Sequence, residues 1–294
     1  MKKRRWFFLF VAAVMLFFVY RWFQQDTFIF TDGDHRKKMI QFVDDESIGK
    51  IQVNWEDVAA VYAVQHKGEL ESMTEQNIKQ LTSLFIAKEE GTYKLRTIEQ
   101  VGQLLNFNGR QVEELKGYKQ QFGEKRVPAG KENNYQFIDQ IKGAAIQNFK
   151  EYGVLPSITI SQAILESNWG NSSLSKDYNN LFGIKGHTKW SGKTASLKTT
   201  EHFNQQTSAR FRVYSTMDES IKDHGDFLKR NPRYAKNGLF SAKTYMEQAK
   251  VLEKAGYSTA ENEKGERIYS QLLTQLIRQY NLQVIDSEAY KEKG

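Results

Sequence analysis

Only three prolines, Pro128, Pro156 and Pro232, interrupt 294 residues. Proline lacks an amide hydrogen and its ring clashes with the preceding helical turn, so a chain nearly free of it leaves long stretches open to helix. Those stretches carry helix start signals. Asn54 precedes Trp55, Val58 and Tyr62; Thr74 precedes Ile78, Leu81 and Phe85. Thr97 with Gln100, and Asn108 with Gln111, have the spacing of capping boxes, in which side chains satisfy amides that the first helical turn leaves free. Apolar residues at helical spacing give each segment one stripe to bury. The expected fold is mostly α (α+β), with strand-prone sequence confined to one region.

Composition narrows the chemistry. Hydrophobic residues make up 39% and aromatics 13%, enough for packed cores and against wholesale disorder. A formal charge of +7 suits anionic surroundings. Cysteine is absent, which excludes a thiolate nucleophile, thiolate metal sites, disulfides and a lipid-modified cysteine anchor. His187, His202 and His224 lack ligand spacing, so neither a metal nor another cofactor is expected.

The N-terminus sets the expected compartment. Lys2, Lys3, Arg4 and Arg5 precede an apolar run from Trp6 to Tyr20, followed by Arg21, Trp22 and Phe23. Counted through Phe23, the run reaches the roughly 20 residues that a bilayer span needs, with aromatics placed for the interfaces. Small residues of the kind a signal peptidase needs do not follow it. Residues 1–23 are therefore expected to be an uncleaved transmembrane signal anchor in the cytoplasmic membrane, with the remainder outside the cell. Export makes nucleic acid a poor account of the positive charge.

Beyond the anchor, residues 24–49 read as a juxtamembrane linker, because their apolar pieces show no sustained period. Residues 50–124 read as a small helical spacer or interaction domain without catalytic residues. Residues 125–134, with Pro128 and Gly130, mark a second linker. A larger domain is expected over 135–285, with 286–294 as a tail.

The chemistry lies in that larger domain. The segment from Pro156 to Gly170 is apolar on nearly all sides and should form a central buried helix. Glu166 falls near its C-terminal end. Burial and the negative end of the helix dipole should both raise its pKa. A carboxylic acid that keeps its proton can protonate a leaving oxygen; a Glu that merely points to solvent is the alternative. Ser196–His202 and Ala209–Tyr214 are β-prone runs flanking a polar stretch, as in a hairpin. Helices resume after Thr216, which forms a capping box with Glu219.

Several separated motifs agree in order and spacing: Gln162 to Gly170, Asn179 to Lys185, Thr199 to Glu201, Ala209 to Tyr214, Asn231 to Tyr234, and Ala255 to Tyr257. Together they resemble the family 73 glycoside hydrolases, glucosaminidases that hydrolyse bacterial peptidoglycan. The resemblance covers roughly residues 135–285 and implies a lysozyme-like domain with a helical lobe, a small β-hairpin lobe and a cleft between them. By position, Glu166 matches the general acid, Glu201 the second carboxylate and Tyr257 the cleft tyrosine. Asn180, Phe182, Gly183, Trp190, Tyr214 and Tyr234 are the expected sugar-binding residues, whereas Trp169 reads as core. The sequence departs from many relatives between Ser258 and Arg267, which is longer, charged and without proline; Tyr269 takes the position of a later family tyrosine. The implied activity is an endo-β-N-acetylglucosaminidase on peptidoglycan glycan strands. A muramidase or lytic transglycosylase, or a non-catalytic glycan-binding scaffold docking an integral-membrane partner, are the alternatives.

Overall fold

The computed structural model describes residues 33–124, 127–186, 190–201 and 205–293, with backbone alone over 198–201 and 205–207. The expected anchor, residues 1–23, lies outside them. Among the described residues no helix is long and apolar enough to cross a membrane.

The first unit is helical with one small hairpin. Helix α1 (Gly33–Ser47) lies against α2 (Trp55–Gln65) and α3 (Glu75–Leu84). Strands β1 (Ile86–Glu89) and β2 (Thr92–Leu95) then pair antiparallel. Helices α4 (Ile98–Leu104) and α5 (Gly109–Gly123) complete the unit, with α5 packed on α2. The boxes at Thr97–Gln100 and Asn108–Gln111 form in both directions. Two expectations are corrected here. Residues 33–47 are a helix rather than linker, seated through Met39, Ile40 and Val43. The helical spacer also contains a hairpin, whose two-residue turn places Glu90 and Gly91 at positive φ, as a tight strand reversal requires.

The second unit is built around α7 (Pro156–Ser167). Helices α6 (Glu132–Tyr152), α12 (Tyr269–Gln279) and α13 (Gln283–Lys293) pack against it, as does α11 (Tyr245–Lys254). Ile158, Ile160, Ala163 and Ile164 of α7 are buried in one core with Phe149, Leu228, Leu252, Leu273 and Ile277. Helix α9 (Met217–Arg230) crosses α6 at Gly225, where a Cβ would stand 2.0 Å from Asn148 Oδ1. Short helices α8 (Ser173–Tyr178) and α10 (Pro232–Lys236) fill corners. Strands β3 (Thr194–Glu201) and β4 (Gln205–Arg212) form an antiparallel hairpin running from Thr194 opposite Arg212 to Glu201 opposite Gln205. A helical body with one hairpin lobe is the arrangement expected for this half. The expected tail is corrected: α13 runs through residue 293 and buries Ile285, Asp286 and Ala289.

The two units meet across a polar seam. The Asp44 carboxylate of α1 accepts from Tyr245 Oη, from Gln52 Nε2 at 3.1 Å and from Arg278 Nε and Nη2 at 3.1 and 3.0 Å. Trp55 Nε1 donates to Asn281 Oδ1, and Asn281 Nδ2 donates to Glu56 Oε1, both at 2.6 Å. Lys291 of α13 pairs with Asp57 at 2.8 Å. The second expected linker thus separates two units that share a continuous hydrogen-bonded interface.

Three buried carboxyls give the fold a pH dependence. Burial pushes Asp44 up to about 6, and Glu56 and Asp286 up to about 7. Their folded pKa values exceed the unfolded ones, so their contribution is complete below about pH 4 and is lost as pH rises through the folded values. Buried His224 acts oppositely: burial lowers it to about 3, and its neutral form costs stability as pH falls below its ordinary value. Three carboxyls outweigh one imidazole between pH 5 and 7, so the melting temperature should fall across that interval. Asp286→Asn can keep both bonds to Ser157 and should flatten the slope. A melting temperature that rises from pH 5 to 7 contradicts this assignment.

Candidate active site

Glu166 occupies the last turn of α7, and the chain leaves that helix abruptly. Asn168, Trp169 and Gly170 all adopt positive φ, of 50°, 60° and 73°. Ser167 Oγ donates to Ala163 O at 2.6 Å and accepts from Gly170 N at 2.7 Å, fastening the turn. The Trp169 ring packs edge-on against Phe137 and Tyr280, as its core reading expected. Left-handed backbone at a tryptophan is costly and is held here by that packing. Asn168, the left-handed cap, ends the helix one residue past Glu166 and brings the acid to the surface.

Glu166 is therefore exposed as a residue, where sequence suggested burial. Neighbouring protein still removes much of the water around its carboxylate, and this raises its pKa above the ordinary glutamate value. The opposing influence is a hydrogen bond from Tyr269 Oη to Glu166 Oε1 at 2.9 Å. Gln162 Nε2, one turn back on α7, donates to the same Tyr269 oxygen at 3.0 Å. With that acceptor site filled, the phenol proton is directed at Oε1, leaving Oε2 to carry the transferable proton. Tyr269 and Gln162 were not foreseen as site residues. The signals were the i−4 position of Gln162 and the place of Tyr269 after the atypical loop.

Tyr257 lies behind this pair. Its ring stacks on Tyr269 with centroids 5.5 Å apart, and its hydroxyl is 3.4 Å from His224 Nε2. His224, also unforeseen, is buried and stacks on Phe182 at 3.9 Å. Phe182, His224, Tyr257 and Tyr269 form an aromatic row ending at Glu166. The tyrosine bonded to the acid is Tyr269, with Tyr257 supporting it.

Four expected sugar contacts are placed inside the protein. Asn180 is 1% exposed; its Nδ2 donates to Ile184 O and Arg212 O, and its Oδ1 accepts from Ile184 N. It clamps the loop to the hairpin base. Tyr214 is buried and donates to Asp223 Oδ2 at 2.6 Å, beside the twofold Arg212–Asp223 pair. Tyr234 is fully buried because short α10 turns its ring inward toward Phe227 and Tyr257. Phe182 is covered by His224. Gly183, at φ 62°, and Trp190 stay partly accessible; Arg212 lies 4.4 Å from the Trp190 ring centroid. Glu201 closes β3 opposite Gln205, where the description is of backbone. Among the described residues no group of His, Asp and Glu is arranged to hold a metal.

Tyr269→Phe separates the roles in this site. It removes the bond that favours the carboxylate, so the pKa of Glu166 should rise further. If protonated Glu166 is the active form, the alkaline limb of the kcat/KM profile should move to higher pH, with lower turnover from lost orientation. An unmoved limb in a folded variant would disconnect Tyr269 from the acid.

Comparison with known proteins centres on the second unit. A family model described as glucosaminidase, mannosyl-glycoprotein endo-beta-N-acetylglucosaminidase, matches residues 142–282. The exo-glucosaminidase LytG of Bacillus subtilis is 38% identical over 154 residues, 51% of this chain and 52% of that protein. A probable N-acetylmuramidase of Lactococcus lactis is 37% identical over 169 residues, 54% of this chain and 36% of that protein. The chain thus spans about half or less of the length of these curated relatives. Among solved structures, the catalytic domain of the autolysin Auto from Listeria monocytogenes is 31% identical, with a TM-score of 0.47, covering 61% of this chain and 98% of that one. Through the domain spanning residues 142–282, the chain belongs to the glucosaminidase family of glycoside hydrolases.

Proposed function

We propose that the protein is a peptidoglycan hydrolase that cleaves the β-1,4 bond between N-acetylglucosamine and N-acetylmuramic acid within glycan strands. The observation that carries this reading is the Gln162–Tyr269–Glu166 relay at the end of the central helix. It holds one carboxylate oxygen and leaves the other to give its proton to the glycosidic oxygen as the C–O bond breaks. Glu201, at the far end of the hairpin, supplies the second carboxylate. It acts either on the anomeric carbon directly or on the attacking water. Trp190 and Gly183 form the accessible sugar-facing surface near the hairpin base.

The basic start and the apolar run to Phe23 support a membrane anchor that holds this activity outside the cytoplasmic membrane. The test is digestion of purified peptidoglycan by the full chain, with product ends identified by mass spectrometry. Internal cleavage leaving N-acetylglucosamine at the new reducing ends is expected. N-acetylmuramic acid or anhydromuramic ends would replace this reading with a muramidase or a transglycosylase. Release of single sugars from chain ends would make the enzyme exo-acting.

A further inference from the structure

The aromatic row and Glu166 occupy one side of α12; its other side faces a separate groove. This cavity of about 1110 Å³ lies between α1, α11 and α12. Four of its lining residues are cationic, Arg36, Lys37, Lys250 and Arg278, and none of its described lining residues is acidic. Asp44 beneath the groove is paired with Arg278, and Arg36 acts on the Glu56 carboxyl, so the surplus charge comes from Lys37 and Lys250. Amides line the wall: Gln271, Gln275 and Gln279 of α12 face Gln41 of α1. Met246 adds apolar surface, with buried Ile40 behind it.

Each feature matches a different part of one ligand class. Cations attract carboxylates. Side-chain amides can both donate to and accept from a peptide backbone. The apolar surface accepts small aliphatic side chains. A bare sugar chain would need no such excess of charge, and a phosphate polymer would make little use of the amides. The groove and the acid share the start of α12: Tyr269, bonded to Glu166, begins the helix on one side, and Ser270, held by Glu253, and Gln271 line the groove's near end on the other. An 11-residue helix is about 16 Å long, so the groove extends from the neighbourhood of the bond-cleaving group to the first unit.

We propose that this groove is a subsite for the carboxylate-bearing stem peptides attached to the glycan, formed jointly by the two units. The proposal rests on the peptidoglycan reading. On it, the first unit is part of the substrate surface as well as a spacer, and the enzyme prefers strands that carry stems over stripped strands.

The experiment uses the full chain in detergent and the double variant Lys37→Glu/Lys250→Glu, two exposed positions whose exchange leaves the core intact. Two readouts are taken: the kcat/KM ratio for stem-bearing over amidase-stripped glycan, and calorimetric binding of a synthetic wall tetrapeptide with free carboxylates. Wild type should favour stem-bearing strands and bind the tetrapeptide. The double variant should lose about tenfold in both readouts, the product of two exposed charge contacts. Equal ratios in wild type and variant, or tetrapeptide binding that survives charge reversal, would overturn the subsite. Tetrapeptide binding lost in the variant, with no glycan cleaved by wild type, would support the groove and refute the glycosidase reading instead.

Discussion

Glu166→Gln should reduce glycan cleavage by about 10²–10⁴-fold, the usual contribution of a positioned general acid. The amide keeps the shape of the side chain, and its oxygen can still accept from Tyr269 Oη, so the relay from Gln162 persists. What disappears is the transferable proton. Binding of uncleaved strands and the melting temperature should therefore stay near wild type. Glu201→Gln measured alongside reports on the second carboxylate. If a folded Glu166→Gln protein cleaves normally, Glu166 is not the acid and another group donates the proton.

Asp44→Ala should destabilise the full chain by about 2–4 kcal/mol, below the full scale for a buried ion pair because the Arg278 partner is partly solvated. Asp44 is 1% exposed and accepts from Tyr245, Gln52 and Arg278, which belong to both units. Its loss leaves the buried Tyr245 phenol and the inner face of the Arg278 guanidinium without their acceptor. At a few degrees per kcal/mol for a chain of this size, the melting temperature should drop by roughly 10 °C. Asp44→Asn keeps an acceptor oxygen and should cost less. Thermal unfolding decides the matter: a wild-type melting temperature for Asp44→Ala would show that the two units are not energetically coupled.

What could be read from sequence, and what could not, follows from where the polar residues find partners. The β3–β4 hairpin and the capping boxes at Thr97 and Asn108 are local patterns, satisfied within a few residues, and were legible, as was the place of Glu166 at the end of its helix. Helices α1 and α13 were read as linker and tail for one shared reason. Their buried faces include Asp44 and Ser47 in one, and Gln283, Asp286 and Ser287 in the other. Polar residues on the inward face erase the apolar period, and partners such as Arg278 for Asp44 and Ser157 for Asp286 lie more than 100 positions away. The site shows the same limit. The rings of Phe182, Tyr214 and Tyr234 look suited to sugar stacking, but they are spent on His224, Asp223 and the inner aromatic packing.

Helix α7 has no side-chain cap of its own at Leu155. Ser157 N instead donates to Asp286 Oδ1 at 2.8 Å, and Ser157 Oγ to Asp286 Oδ2 at 2.6 Å, across 129 residues of chain. A ribosome delivers the polypeptide from its N-terminus, so the helix that carries the acid emerges long before the residue that completes its first turn. Until Asp286 arrives, that turn has an amide with no acceptor, and closing the core around it costs about 1–3 kcal/mol more. Maturation of the catalytic half is thereby tied to synthesis through α13. A nascent or prematurely ended chain should therefore carry Glu166 on a helix whose first turn is not yet fastened.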